Sequence, residues 1–225
     1  MSFEPEIDPA IWRLRPDFVA LSLVARNARN APADEVSAAM LASAMDRAAP
    51  WAEAHLESWR EAYRAFGAKP QRTPCSAEAL RRRAANLPAV NRLVDAYNAL
   101  SLRYAVPIGG EDLDAYRGHP KLTVAEGGEP FATVRDGAQT VEPVEAREVV
   151  WRDEEGVTCR RWNWRQSSRT RLEPHSTAMW FVLERLEPMP LTALEEAGAA
   201  LAASVRELAP DAEVRSRLIA GPEAR

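Results

Sequence analysis

The order in which helical and strand-like patterns follow one another limits the fold of this 225-residue sequence more than any other feature. Apolar residues recur at helical spacing from Asp34 to Phe66, and again from about Ala89 to Tyr104. After Gly109-Gly110 the pattern changes to short strand-like segments that are separated by glycine-containing turns. Helices followed by strands favour an α+β or mixed α/β domain over a regular βαβ repeat.

The bounds of the predicted elements follow from apolar periodicity, from proline and glycine positions, and from capping residues. The predicted helices are 34–66, divided in two by Pro50; 77–83, with Ser76 as N-cap; 89–104, which Pro107 ends; and 192–208. The predicted strands are 18–25, 121–125, 131–134, 148–152, 157–164 and 179–186. The buried stripe of helix 89–104 comprises Val90, Leu93, Val94, Tyr97 and Leu100, and the residues after 208 are expected to form a tail.

The composition is that of one globular domain. Hydrophobic residues make up 46% of the chain, enough for one sizeable core at this length. We expect a single domain over residues 1–225, with a helical N-terminal part at about 31–70 and a core at about 75–210. No apolar run approaches the ~20 residues of a membrane span, and the acidic N-terminus lacks a signal-peptide core. These features predict a cytoplasmic protein without a membrane partner.

Metal and cofactor motifs are missing from the sequence. Cys75 and Cys159 lie far apart without CxxC spacing, and the three histidines show no metal-binding spacing. No Walker loop or G-x-G-x-x-G follows a predicted strand, so the sequence predicts neither a metal nor a cofactor. The formal charge of −4 argues against a protein that coats nucleic acid through its overall field. Any contact with RNA therefore has to be local.

Residues 159–166 (CRRWNWRQ) concentrate guanidinium groups, indole rings and side-chain amides. Side chains alternate between the two faces of a strand. The predicted faces are Arg161, Asn163 and Arg165 on one side, and Arg160, Trp162, Trp164 and Gln166 on the other. Arginine binds phosphates through a planar fork, and tryptophan offers a flat surface on which a base stacks. The segment is thus either a recognition strand or a strand with a tryptophan-rich buried face and a solvated arginine face.

Three passages taken together resemble a known family. The first runs from NRLVDAYN (91–98) to PIGGEDLD (107–114), the second is DEEG (153–156), and the third is WFVLE (180–184). In this order they resemble the B three/four domain, the tRNA-binding and editing domain of the phenylalanyl-tRNA synthetase beta subunit. Its pattern reads N-x-V-V-D-x-T-N, Q-P-L-H-A-F-D and D-x-E-G. The resemblance covers roughly residues 75–188, and the CRRWNWRQ stretch is more similar to freestanding relatives of that domain.

The resemblance implies both a fold and an activity. The fold is an α+β (mixed α/β) domain with a central sheet flanked by helices. The synthetase domain receives the 3′ end of a wrongly charged tRNA and hydrolyses the aminoacyl ester, which a freestanding copy would do in trans. The implied function is a trans-acting aminoacyl-tRNA deacylase whose partner is the aminoacylated 3′ acceptor end of tRNA. The alternative is a non-catalytic module that binds tRNA, another RNA or a small ligand on the same scaffold.

Four residues are the catalytic candidates under this resemblance: Asn98, Gly109, Gly110 and Glu184. Asn98 matches the family's pocket asparagine, which hydrogen-bonds the substrate. The N–H groups of Gly109-Gly110 would stabilise an oxyanion, or the two glycines form a simple turn after the helix. Glu184 matches the pocket glutamate after a two-residue shift; the alternative is an edge-strand carboxylate paired with Arg185 or Arg161.

The sequence departs from the family pattern at the pocket. Gly109 stands where the pattern has histidine, and Tyr97 stands where it has the threonine before the asparagine. Arg161 and Trp162 fall opposite the small residues that leave room for an aromatic substrate in the synthetase. The resemblance therefore implies a reshaped and narrower pocket.

The remaining candidates would bind the end of the tRNA. Arg160, Arg161 and Arg165 would bind terminal phosphates or the ribose, Trp162 or Trp164 would stack the terminal adenine, and Asn163 and Gln166 would read its edge. The ester is already activated, so a positioned water and the neighbouring ribose hydroxyl suffice without a side-chain base. The helices in about the first seventy residues would also suit a dimer or partner surface, and the oligomeric state stays open.

Overall fold

This computed structural model describes residues 3–44 and 49–222. These residues form two β-sheets and six α-helices, which are joined by loops and short 3-10 turns. The expected mixed α/β class is confirmed, although the strands divide between two sheets rather than forming one central sheet. The helices are α1 Pro9–Leu14, α2 Glu35–Ser43, α3 Ala52–Ala65, α4 Ser76–Arg83, α5 Arg92–Tyr104 and α6 Leu191–Leu208. The strands are β1 Glu6–Ile7, β2 Val19–Arg26, β3 Ile108–Asp112, β4 Lys121–Val124, β5 Pro130–Arg135, β6 Ala138–Pro143, β7 Val149–Arg152, β8 Val157–Arg160, β9 Arg165–Gln166, β10 Met179–Arg185 and β11 Glu213–Ala220.

The two sheets have different topologies. The smaller sheet has four strands in the order β11-β2-β10-β3, and every neighbouring pair is antiparallel. The larger has seven strands in the order β1-β4-β7-β8-β5-β6, with β9 paired to β8. Its β1–β4 and β5–β8 pairs are parallel, and its other pairs are antiparallel. Strand β3 therefore lies at one edge of the smaller sheet, next to the buried strand β10.

Strand β10 is apolar on both faces, which is typical of a strand covered on both sides. Met179, Phe181 and Leu183 pack into a core cluster with side chains of α5 and α6. Trp180 and Val182 point the opposite way, into a second cluster with side chains of α3 and of the larger sheet. The smaller sheet thus forms the middle layer, between the α5 and α6 helices and the larger sheet.

Helix α5 is held at both of its ends. The Asn91 side chain caps its N-terminus by accepting a hydrogen bond from the Val94 N–H at 3.0 Å. The carboxylate of Asp95 accepts from the Val90 N–H and from the Ser37 hydroxyl, so Asp95 braces the start of α5 against α2. The predicted buried stripe is confirmed except at Val90, which is exposed because it precedes the N-cap.

Several predicted boundaries were wrong at the ends of elements. Cys75, not Ser76, is the N-cap of α4, and Ser76 is the first helical residue. The predicted tail contains β11, which pairs with β2 along its whole length. Its alternation is hidden because most of its side chains are exposed. By contrast, the predicted division of 34–66 into two helices is confirmed by α2 and α3, and residues 45–48 between them lie outside the described residues.

The predicted strand 157–164 was also wrong, because the chain turns after Arg160. Arg161 and Trp162 adopt left-handed backbone conformations, with φ of 47° and 67°, and β9 then pairs back onto β8. Such conformations cost about 1–3 kcal/mol for bulky residues. Full burial of the Trp162 ring offsets that cost. The alternation of faces predicted for 160–166 is therefore replaced by a turn.

Gly110 is expected to tolerate alanine poorly, because a Cβ atom there would lie 2.7 Å from Tyr97 Cε1 and 3.0 Å from the Phe181 ring. Overpacking of this kind costs about 1–3 kcal/mol of stability. At Gly109 the nearest atoms would be at ordinary contact distances, 3.4 Å and 3.5 Å. Urea unfolding of Gly110→Ala and Gly109→Ala checks this difference. Equal stability of the two variants would contradict the close packing of β3 on α5.

His55 is expected to make stability fall in acid. Its Nδ1–H donates to the Ala105 carbonyl at 2.8 Å, so Nε2 is the acceptor for the Trp59 indole N–H and the Leu186 N–H. Burial lowers the pKa of His55 from 6.5 to about 4, against the opposing effect of the Ala105 hydrogen bond. The unfolded chain therefore binds the extra proton between these two pH values, and stability falls as the pH drops through that window.

The expected contribution of His55 is about 3 kcal/mol between pH 7 and pH 4, since each pKa unit corresponds to about 1.4 kcal/mol. Urea unfolding at several pH values measures it as the difference in pH slope between the wild type and His55→Gln. His175→Gln is the control, because His175 is exposed. Identical slopes for the wild type and His55→Gln would show that this histidine does not titrate as expected.

Candidate functional site

A cleft of about 480 Å³ lies where the edge of the smaller sheet meets α4, α5 and the 161–164 turn. The smaller sheet contributes β3 and β10, and the larger sheet contributes the floor through Trp151 and Cys159. The lining residues are Ser76, Ala79, Leu80, Arg83, Leu87, Tyr97, Asn98, Ile108, Gly109, Glu111, Trp151, Cys159, Trp162, Asn163, Trp164, Arg165, Gln166, Val182 and Glu184. The cleft therefore contains predicted catalytic residues as well as residues that were predicted to bind the tRNA end.

Asn98, Gly109, Asn163 and Glu184 all line this cleft, although they come from four different segments. Asn98 projects from the middle of α5, three residues after the buried Asp95. Its side-chain amide has no hydrogen-bond partner within residues 3–44 and 49–222, so both its donor and its acceptor are available to a ligand.

Glu184 lies at the cleft floor and is fully engaged by protein donors. Its Oε1 accepts from Trp151 Nε1 at 2.9 Å, and its Oε2 accepts from Asn163 Nδ2 at 2.8 Å. Asn163 is fixed in turn by the Tyr63 hydroxyl, which donates to its Oδ1 at 2.9 Å. Burial raises the pKa of Glu184 to about 8, although the two donors favour the ionised form. Glu184 therefore organises the floor of the cleft.

The alternative reading of Glu184 as an edge-strand carboxylate in an ion pair was wrong. Strand β10 lies between β2 and β3, so Glu184 is not at an edge. Arg185 instead donates to the Met189 carbonyl, and Arg161 lies beside Glu148.

Gly109 and Gly110 lie in strand β3, so the alternative of a simple turn was also wrong. The Glu184 N–H donates to the Pro107 carbonyl, so residue 107 is a hydrogen-bonded position opposite β10. Hydrogen-bonded positions recur at every second residue of an antiparallel pair, so Gly109, which lies opposite Val182, is the next one. The peptide groups of Gly110 then point away from β10. Consistent with this, the Gly110 carbonyl accepts a hydrogen bond from Gln166 Nε2 at 2.9 Å. Of the two glycine N–H groups, that of Gly110 is the one not used in the ladder with β10, but Gly109 lines the cleft and Gly110 does not, so the structure does not bring a free glycine N–H into the predicted site.

The arginines of the CRRWNWRQ stretch are divided between a buried ion pair and the cleft. The guanidinium of Arg160 is buried and contacts Glu148 at 3.0 and 2.8 Å, with Glu142 beside it at 3.5 Å. Arg161 also lies beside Glu148, and its guanidinium covers the Trp164 ring at 4.7 Å. Neither Arg160 nor Arg161 lines the cleft, whereas Arg165 does. The structure therefore does not bring Arg160 and Arg161 to the predicted binding position.

The two tryptophans of this stretch have different surroundings. Trp162 is fully buried, with its ring centroid 5.0 Å from that of Phe18 and 5.3 Å from that of Trp59. No adenine can reach its faces. Trp164 is only half-buried and lines the cleft, as does Gln166. Trp164 is therefore the tryptophan of this stretch that is available for stacking.

Two of the charged residues that line the cleft were not recognised from the sequence. Glu111 lies on β3 and is 2% exposed, and Arg83 is an exposed residue that ends α4 at the cleft mouth. Burial raises the pKa of Glu111 to about 7, against the opposing hydrogen bond from the Tyr116 hydroxyl. The one sequence signal for Glu111 was its position directly after Gly109-Gly110, the two glycines predicted to contact the substrate.

The described residues contain no group of three or more His, Cys, Asp or Glu side chains placed to hold a metal ion. Among the same residues, none of the helices has the length and apolar character needed to cross a membrane.

Comparison with known proteins agrees with this architecture. The family model described as the B3/4 domain matches residues 58–199. The chain belongs to the B3/4 domain family. Every residue that lines the cleft, from Ser76 to Glu184, falls within the matched range. Strands β2 and β11 lie outside that range, yet they complete the smaller sheet next to β10.

A solved structure shares the fold of this B3/4 domain protein. It is an N-terminal fragment of the phenylalanyl-tRNA synthetase beta-subunit from Pyrococcus horikoshii, with a TM-score of 0.52 and 12% sequence identity. The match covers 96% of the present chain and 51% of the synthetase fragment, so the present chain spans about half the length of that fragment. Among curated protein sequences, none matches this chain significantly.

Proposed function

We propose that this B3/4 domain protein binds the aminoacylated 3′ end of a mischarged tRNA and hydrolyses its ester in trans. The observation that carries the proposal is the meeting of the free Asn98 amide, Gly109 and the Glu184–Asn163 pair in one cleft. The family membership and the fold shared with a phenylalanyl-tRNA synthetase beta-subunit fragment support a role connected with tRNA. A protein that acts on charged tRNA would work in the cytoplasm.

The cleft offers what ester hydrolysis requires. The reaction needs a water aimed at the carbonyl carbon and donors aimed at the oxyanion that forms. The Asn98 amide lines the cleft and supplies a donor, whereas the Gly109 N–H is used in the ladder with β10 and Gly110 does not line the cleft. Glu184 and Asn163 act as positioning residues, because the Asn163 amide donates to Glu184 and accepts from the Tyr63 hydroxyl, which fixes both side chains at the floor of the cleft. No metal or cofactor takes part in this proposal.

The nucleic-acid end would bind at the mouth of the cleft. Trp164 presents a ring on which the terminal adenine can stack. The guanidinium of Arg161 lies over that ring, 4.7 Å from its centroid. Arg83 and Arg165 are the cations that line the cleft, and they would contact the last phosphates. Gln166 stays within reach of the base edge, although its Nε2 already donates to Gly110.

A second candidate function is a binding module without catalysis. It is favoured by Glu184, because both of its carboxylate oxygens are already occupied by protein donors, and by Gly109, which replaces the histidine of the resembled pattern. Such a module would bind the same tRNA end and leave the ester intact.

Incubation of the purified protein with a panel of mischarged tRNAs tests the two functions. We expect ester loss above buffer for at least one pair, and a decrease of about 10²–10³-fold in Asn98→Ala, because one oxyanion donor is removed. Asn86→Ala is the matched control, since Asn86 is exposed and does not line the cleft. No ester loss for any pair, together with measurable binding of the same tRNAs, would favour the module instead.

A further inference from the structure

Glu111 presents the one carboxylate oxygen of the cleft that no described residue occupies. Its Oε2 accepts a hydrogen bond from the Tyr116 hydroxyl, whereas its Oε1 has no hydrogen-bond partner in residues 3–44 and 49–222. By contrast, both oxygens of Glu184, the other acidic residue in the lining, accept hydrogen bonds from protein donors. A ligand in the cleft that carries a hydrogen-bond donor can therefore pair with Glu111 and not with Glu184.

No positive charge of the described protein neutralises Glu111. Arg169 is the cation that acts on its pKa, yet the Arg169 guanidinium is held by Asp153 at 2.7 and 3.0 Å and by the Ala115 carbonyl. The Thr158 and Thr170 hydroxyls also lie near enough to lower the same pKa; Thr158 accepts a hydrogen bond from the Tyr116 hydroxyl, and the Thr170 hydroxyl is buried without a hydrogen-bond partner of ordinary geometry. Burial without a counter-charge disfavours the ionised form of Glu111, and a cationic ligand in the cleft would favour that form again.

The position of Glu111 fits the amino group of an aminoacyl ester. Glu111 and Gly109 lie two residues apart on one face of β3, at a Cα separation of about 7 Å in an extended strand. An ester carbonyl held near Gly109 and Asn98 would place the α-ammonium group, two bonds away, toward Glu111.

We propose, on the basis of the proposed function, that Glu111 is the specificity-determining residue that binds the free α-ammonium group of the aminoacyl substrate. The cleft then selects esters with an unmodified amino group over otherwise identical esters that lack one. An N-acylated or deaminated aminoacyl end would lose the charge-assisted hydrogen bond to Oε1.

Binding of two stable adenosine analogues tests this role. One carries an alanyl group in amide linkage at the 3′ position, and the other carries a propionyl group there, which removes the amine without adding bulk. Isothermal titration of the wild type is expected to show at least about tenfold tighter binding of the alanyl analogue, the effect of one charge-assisted hydrogen bond. In Glu111→Gln, which keeps the shape of the side chain, this preference is expected to fall below about threefold.

The outcomes separate the inference from the proposed function. Equal affinity of the wild type for the two analogues, or an unchanged preference in Glu111→Gln, overturns the role of Glu111 and leaves the cleft as an aminoacyl site. Failure of both analogues to bind overturns the proposed function and the inference with it. Glu155→Gln is the control, since Glu155 is exposed and outside the cleft. If Glu111→Gln does not fold, Glu111→Asp, which withdraws the oxygens by one methylene, is expected to lose most of the preference.

Discussion

Replacement of Glu148 by alanine is expected to lower the free energy of unfolding by about 3–5 kcal/mol. Glu148 is 4% exposed and accepts two hydrogen bonds from the buried Arg160 guanidinium, at 3.0 and 2.8 Å. It also accepts from the Arg161 backbone N–H, which holds the first residue of the strained turn. Its removal leaves a buried positive charge whose remaining acidic neighbour is Glu142, at 3.5 Å. Urea unfolding at neutral pH measures the loss.

The matched control for this change is Glu57→Ala. Glu57 forms two ion pairs, with Arg60 and Arg64, but it lies on the surface of α3, where such pairs contribute about 0–1 kcal/mol. A loss below 1 kcal/mol in Glu148→Ala would mean that Arg160 is not held in the protein and is free for nucleic acid, as the sequence pattern predicted.

Trp162→Ala is expected to destabilise the protein by about 3–5 kcal/mol, the usual cost of truncating a large buried ring. The ring is fully buried and packs edge-on against Phe18 and Trp59, so its removal leaves a cavity between α3 and both sheets. It would also release the turn, since the burial of this ring offsets the left-handed conformation of its backbone. Thermal and urea unfolding both report the change.

Trp164→Ala is the counterpart of that variant. Trp164 is half-buried, so little stability is expected to be lost, whereas binding of the tRNA end should weaken by about 1–3 kcal/mol, the usual contribution of one stacked base. A stable Trp162→Ala variant with weakened binding, or a Trp164→Ala variant that binds normally, would reverse the roles of the two tryptophans.

The elements that could be predicted are those whose burial follows a simple period. Helix α5 and strand β10 were found because their buried side chains recur at helical spacing or fill both faces of a strand. Asn98 was predicted as a pocket residue only because it matches the pocket asparagine of the resembled family. The convergence of Asn98, Gly109, Asn163 and Glu184 could be expected only because the motifs resemble a family.

The features that could not be predicted depend on tertiary contacts. Arg161 and Trp162 normally avoid the left-handed backbone conformation that they adopt in this turn. Packing of the Trp162 indole against Trp59 of α3 stabilises the turn, and that contact is not visible in the sequence. Strand β3 was missed because glycine disfavours strands. Residue 110 has to be small because the Tyr97 ring of α5 packs against it, and this contact cannot be read from the sequence. The ion pair of Arg160 was invisible, since nothing in the sequence joins it to Glu148.

A crystal structure of the protein with the 3′-alanylamino adenosine analogue bound tests the central claim most directly. The account predicts electron density for the aminoacyl group between Asn98 and Gly109, with its amino group at Glu111 and the adenine against Trp164. Density for the analogue at another surface, such as the groove beside Lys69 and Arg72, with the cleft left empty, would contradict it.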